Sequence, residues 1–190
     1  MKDAGAENPG MMASIIGLEE DQVAEIVGEA AVEGVICMAN VNCPGQIVLS
    51  GEEAPVRKAA AMAEKRKALK VVFLNVAGAF HSPLMQPARE RLAVELEKTE
   101  IKTARIPVVA NCTAGFVTDS DEIKRLLIEQ VTSSVLWEKS IKMLLEKGFE
   151  NFIEMGPGRV LTGLMRRTSR KTNVNAVGDM AAIDKLVAQL

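Results

Sequence analysis

The chain has one histidine, one tryptophan, five phenylalanines and no tyrosine in 190 residues. So few rings exclude a surface built for stacking nucleobases. Lysine and arginine are scattered rather than striped, and the net charge is −2, which excludes an electrostatic face for nucleic acid. Three cysteines, Cys37, Cys43 and Cys112, cannot form an even disulfide set and show no zinc-ligand spacing with the lone histidine. They read as small buried thiols in a reducing compartment. No apolar run approaches bilayer length, and the opening MKDAGAENPG lacks the apolar core of a signal peptide. With 48 % hydrophobic and 25 % charged residues the composition is that of a globular protein. The expectation is a cytoplasmic protein without metal, nucleic-acid or membrane function.

Residues 1–10 read as a linker. Beyond them, the short apolar run MMASII precedes a stretch with Val23, Ile26, Val27 and Ala30 at i, i+3, i+4 and i+7, one stripe of a helix. VICMANVN and IVLSG read as strands around the turn residues CPGQ, and Pro55 suits the first turn of a helix. LKVVFLNVAG reads as a longer closing strand. Strand, helix, strand, strand, helix, strand is the split βαβ pattern of a ferredoxin-like unit, over about residues 11–75. Residues 76–190 have another rhythm. Ser82-Pro83 fits N-cap and N1 of a helix, and IPVVANCT is apolar enough for a strand buried on both faces of a parallel sheet. Asp119 with Glu122 resembles a capping box, and Gly148 closes a further helix. Strands and helices then alternate to the end, which implies a parallel α/β layer.

His81, in VAGAFHSPLM, lies just before that helix start, where the dipole disfavours imidazolium and a neutral ring can accept a proton. It reads as a general base or as a capping, packing histidine. A base needs a nucleophile, yet no G-x-S-x-G occurs in the sequence. Cys112 is the best internal substitute, but ANCTAG lacks the elbow pattern. Gln130 continues the apolar stripe of Ile123, Leu126 and Leu127 near a helix C-terminus, where carbonyls go unpaired. Such a carbonyl can accept from an imidazole Nδ1–H and set its tautomer, although a satisfied helix-end amide fits the residue as well. Asn40 and Asn42 share one face of a strand, fit to meet a polar ligand, or else form the turn before Pro44-Gly45. GPGRVLTG offers backbone N–H groups at a helix start, a weak phosphate signal against a plain turn. Arg166, Arg167, Arg170 and Lys171 read as a solvated basic face.

Taken in order, GMMASIIGL, NVNCPGQIVLSG, GAFHSPLM, IPVVANCTA, SSVLWEKSI and FIEMGPGRVLTGL resemble the malonyl-CoA:acyl-carrier-protein transacylase family over nearly the whole chain. The resemblance implies an α/β fold, with a ferredoxin-like small subdomain and the C-terminal part of a larger α/β-hydrolase-like, parallel-sheet subdomain. It implies ping-pong transfer of malonyl from CoA to the pantetheine thiol of acyl carrier protein through an acyl-serine, in fatty acid biosynthesis, with no separate cofactor. His81 resembles the family's base and Gln130 the residue whose main-chain carbonyl orients it. Asn40 and Asn42 match positions lining the acyl pocket. Phe80 matches the AFH form associated with malonyl selection.

The family's G-Q-G oxyanion segment, G-H-S-x-G elbow and carboxylate-binding arginine have no counterpart in these 190 residues. The resemblance therefore implies a C-terminal portion of such an enzyme, catalytically incomplete as written. Three readings stand at this stage: a half-enzyme needing its N-terminal part in trans, a non-catalytic module binding carrier protein or CoA, and a fragment without independent role. Exposed sheet edges would also favour self-association.

Overall fold

The computed structural model describes residues 1–188. Two compact units arise, Met1–Ser140 and Ile141–Leu190. In the first, helix α1 (Lys2–Glu7) precedes strand β1 (Met11–Ile16). Helix α2 (Glu20–Ala30) buries Val23, Ile26 and Ala30, the residues at helical spacing, and opens on a capping box in which the Glu19 N–H donates to Gln22 Oε1 at 3.0 Å. Strands β2 (Ile36–Cys43) and β3 (Gln46–Gly51) turn at Pro44-Gly45, with Gly45 at φ 69°. Helix α3 (Glu53–Lys65) and strand β4 (Lys70–Phe73) complete the succession.

The sheet order is β2-β3-β1-β4, antiparallel throughout, so the split βαβ connectivity is present. Its register sets Ile15 opposite Ile47 on a face covered by α2 and α3, where they join Leu49, Ala59 and Ala63 in one core. Burying these side chains supplies roughly 1.5–3 kcal/mol for each large one. The other face is covered too. Met12, Ala39 and Val48 pack there against Leu74 and Phe80.

That second layer explains two departures from the sequence reading. The long closing strand stops at Phe73, because Leu74 to Phe80 fold across the sheet instead of extending along it. The packing also runs on across the expected boundary at residues 75 and 76. Phe80 packs into the sheet cluster and also against Ala4, Met85, Ala88 and Val131. The expected linker over residues 1–10 is likewise corrected. Ala4 and Gly5 are buried, and a Cβ on Gly5 would lie 2.3 Å from the Ala77 carbonyl oxygen. Helix propensity alone would make Gly5→Ala stabilising by about 1 kcal/mol. The close backbone approach reverses the sign, and a loss of about 1–3 kcal/mol is expected on thermal unfolding. A raised Tm would show that α1 is not packed.

Next comes a single 3₁₀ turn, Pro83–Met85, leading into helix α4 (Gln86–Lys98). The apolar IPVVANCT segment is not a doubly buried parallel strand. It forms an antiparallel hairpin of β5 (Val108–Ala110) and β6 (Gly115–Val117), with Ile106 80 % and Val108 52 % exposed. An apolar run records how much surface a strand must cover but not its partner, and the short turn here favours the sequence neighbour. Helix α5 (Ser120–Gln130) is capped by Asp119, whose carboxylate accepts from the Asp121 and Glu122 N–H groups. Glu122 does not return the bond; it pairs with Arg125.

Helix α6 (Trp137–Glu146) ends one unit and begins the other. In the second unit β7 (Asn151–Met155) and β8 (Asn173–Val177) form a parallel pair, with α7 (Val160–Thr168) as the crossover and α8 (Met180–Val187) after it. Among the described residues, parallel pairing in the C-terminal half is thus limited to these two strands and one isolated bridge of Val135 to Asn40. The fold is α/β, and no helix among the described residues is long and apolar enough to cross a membrane.

Candidate active site

His81 has φ 60°, in the left-handed region that a residue with a Cβ enters only at a cost of about 1–2 kcal/mol. Its neighbours hold it there. Phe80 is fixed in two core clusters. The buried Ser82 hydroxyl donates to the Ala79 carbonyl at 2.6 Å and accepts from the Leu84 N–H at 3.3 Å. From β2, the Cys37 thiol lies 3.4 Å from the His81 carbonyl and 3.5 Å from the Ser50 carbonyl. Backbone strain held by packed neighbours on every side is a mark of a functional position.

The structure brings Gln130 to the ring. Gln130 ends α5, so its carbonyl has no partner within the helix. That oxygen lies 3.1 Å from His81 Nδ1 and also accepts from the Ser133 N–H at 3.4 Å. An oxygen acceptor at this distance favours the tautomer with the proton on Nδ1, which leaves a lone pair on Nε2. The residue as a whole is half-buried.

Asn40 and Asn42 both lie within β2, so the turn reading is corrected: the turn is Pro44-Gly45 alone. Both are half-buried, and the register shifts of β2 set Asn40 opposite Val48, on the sheet face that also carries Ala39 and Met12. The edge of β2 is closed by the segment after α5. The Val41 N–H donates to the Val135 carbonyl at 2.9 Å, the Val135 N–H to the Ala39 carbonyl at 2.8 Å, and the Ser134 hydroxyl to the Met38 carbonyl. One strand therefore carries both asparagines and the thiol under His81, and the segment leaving Gln130 is stitched to it.

Cys112 is drawn elsewhere. It sits in the turn of the β5–β6 hairpin, its thiol 3.7 Å from the Leu126 carbonyl, and burial together with nearby Glu129 raises its pKa. A thiol kept protonated in a hairpin turn is no activated nucleophile. The phosphate reading of GPGRVLTG is also overturned. Glu154 fills the start of α7, accepting from the Leu161 and Thr162 N–H groups, each at 2.8 Å, and from the Thr162 hydroxyl. The Thr162 bonds hold its carboxyl below the usual range. Arg166, Arg167, Arg170 and Lys171 are exposed. No group of three or more His, Cys, Asp or Glu residues among those described could hold a metal.

Sequence reasoning missed Cys37 and Ser133 as parts of the site. Neither has a local signal, because each acts through a contact between elements far apart in the chain. Burial pushes the Cys37 thiol up to about 11 from its ordinary 9.0. In the folded chain Cys37 is therefore expected to resist iodoacetamide at mildly alkaline pH and to react once urea unfolds it. The unfolded thiol ionises near 9 and the folded one near 11, so this group's contribution to stability falls as pH rises through that window. Rapid alkylation of the native chain at Cys37 would contradict the packing under His81.

The acyl transferase domain model matches residues 4–186. The chain belongs to the acyl transferase domain family. Among its relatives, malonyl CoA-acyl carrier protein transacylase of Bacillus subtilis is 39 % identical over 191 residues, which cover all of this chain and 60 % of that protein. The Escherichia coli K12 enzyme of the same name is 36 % identical, covering 96 % of the chain and 59 % of its own length. In three dimensions the chain matches an acyl carrier protein S-malonyltransferase of Vibrio cholerae with TM-score 0.90 at 37 % identity, covering 93 % of this chain and 58 % of that one. It matches a malonyl-transacylase solved in complex with its type II PKS acyl-carrier protein with TM-score 0.94 at 32 % identity, covering 100 % and 61 %. The chain thus spans about 60 % of the length of the relatives it matches.

Proposed function

We propose that this chain carries the base arm of a malonyl-CoA:acyl-carrier-protein transacylase of fatty acid biosynthesis, acting in the cytoplasm. In this reading His81 Nε2 takes the proton from an attacking serine hydroxyl as the hydroxyl oxygen adds to the malonyl thioester carbon. The imidazolium then returns the proton to the departing CoA thiolate. In the second half-reaction the same nitrogen takes the proton of the carrier protein's pantetheine thiol, which attacks the acyl-serine, and the serine leaves reprotonated. Gln130 holds the ring through its main-chain carbonyl, the orienting part that a carboxylate plays in a Ser-His-Asp triad. Asn40, Asn42 and Phe80 belong to the acyl side in this reading, which their resemblance to the family's motif positions supports.

The observation that carries the proposal is the 3.1 Å approach of Nδ1 to the Gln130 oxygen, which favours the proton on Nδ1 and the lone pair on the ring's second nitrogen. The 190 residues hold no G-x-S-x-G, so the serine must come from sequence outside them. The test is transfer of labelled malonyl from CoA to carrier protein by this chain, with and without an elbow-bearing segment supplied in trans. The missing elbow also favours a second reading, a module that binds carrier protein without acylating it. Binding seen by NMR titration, with no transfer under either condition, would decide for that module.

A further inference from the structure

We propose that the side chain of Gln130 is a positioning residue that sets the tautomer of His81 in opposition to its own main chain. Two groups of this one residue face the same ring nitrogen. The carbonyl oxygen is 3.1 Å from Nδ1 and the side-chain Nε2 is 3.3 Å from it. The carbonyl can only accept and the amide Nε2 can only donate. Nδ1 therefore satisfies one or the other, never both.

The orientation of the amide is fixed by a third group. Nε2 also donates to the Ser133 carbonyl at 2.9 Å. Turning the amide over would set Oε1 against that carbonyl oxygen, two acceptors at hydrogen-bond distance. The cost of the present orientation is visible, since Gln130 Oε1 is buried without a hydrogen-bond partner. A buried orphan acceptor costs about 1–3 kcal/mol, and it persists here because the donor end is used by both Ser133 and the ring.

The chemical consequence follows from proton counting. With the proton on Nδ1 the ring donates to the carbonyl, and Nε2 carries the lone pair that a base needs. With the proton on Nε2 the ring accepts from the amide at Nδ1 and cannot take a proton at its outer nitrogen. Gln130 thus holds part of the population in an idle tautomer. The ring commits to the carbonyl when Nε2 gains a proton, because imidazolium has donors on both nitrogens and repels the amide N–H. This inference deepens the acyl-transfer reading and rests on it for its significance. Its test reads the ring directly, so it fails or stands independently of any transfer assay.

His81 is the only histidine, so its ring nitrogens can be observed without assignment. The full chain, labelled with ¹⁵N-histidine, is examined by long-range ¹H–¹⁵N correlation in alkaline buffer where the ring is neutral. Wild type is expected to show both nitrogens at shifts intermediate between protonated and unprotonated values. Gln130→Met keeps the carbonyl and most of the side-chain volume but removes the donor. It is expected to shift the tautomer ratio about three- to tenfold toward Nδ1–H, the range that one net hydrogen bond supports. Gln130→Glu, whose carboxylate accepts from Nδ1–H, should move the ratio the same way. A Gln130→Met ratio equal to that of wild type would overturn the proposal. Should neither variant fold, the wild-type spectrum still decides, since a ring found wholly as the Nδ1–H tautomer leaves the amide with no influence and the proposal is refuted.

Discussion

Mixed with labelled malonyl-CoA and acyl carrier protein, the 190-residue chain is expected to remain unlabelled and to pass nothing on. General-base catalysis raises the rate of a nucleophile that is present; it does not substitute for one. None of the eight serines, Ser14, Ser50, Ser82, Ser120, Ser133, Ser134, Ser140 and Ser169, has the flanking glycines of an elbow, and three are visibly committed elsewhere. Ser82 caps a helix start, Ser134 bonds the Met38 carbonyl and Ser140 bonds the Leu136 carbonyl. In serine acyl-transfer enzymes, loss of the nucleophile alone removes about 10⁴–10⁶ of the rate. Adding the part of the Bacillus subtilis relative that this chain does not cover should restore protein-bound label and then transfer. Sedimentation gives an independent readout. Ile106, Val108 and Phe116 are exposed on the β5–β6 hairpin, so the chain alone is expected to self-associate and the mixture to form a defined heterodimer. Robust labelling of the chain by itself would sink the base-arm reading.

In that reconstituted pair, His81→Ala should lower kcat by about 10⁴–10⁶ and leave KM for malonyl-CoA nearly unchanged. The split matters because His81 also ends a strained loop. Alanine at φ 60° keeps the strain but loses the Nδ1 contact with Gln130, so some loss of stability is expected as well. A folding defect would reduce the amount of active complex and could be titrated out, whereas loss of the base persists at saturating complement. If kcat falls less than tenfold in fully assembled complex, His81 is a structural residue and the capping reading stands in its place.

Much of the framework was legible in the sequence because local rules govern it. Val23, Ile26 and Ala30 repeat at helical spacing and are buried where that spacing puts them. Ser82 and Asp119 cap the starts they were read to cap. The errors fall where distant segments decide. The stretch after Phe73 looked like strand because it is apolar, yet it is apolar for covering the second face of the sheet. IPVVANCT carried the signature of a buried strand without the identity of its partner. The opening residues read as a linker, whereas Gly5 and Gly10 are small for close packing against the backbone of residues 77 and 51.

The site shows the same division. The sequence by itself determined the residue types: one imidazole before a helix start, a glutamine at a helix end, and no elbow serine. Only the tertiary structure decided that the glutamine meets the imidazole twice, through oxygen and through nitrogen, and that a thiol from β2 lies against the carbonyl below. Helix caps and periodicity act over a few residues along the chain and leave a pattern there. Contacts across 49 and 44 residues are fixed by how layers pack, and packing leaves no local trace.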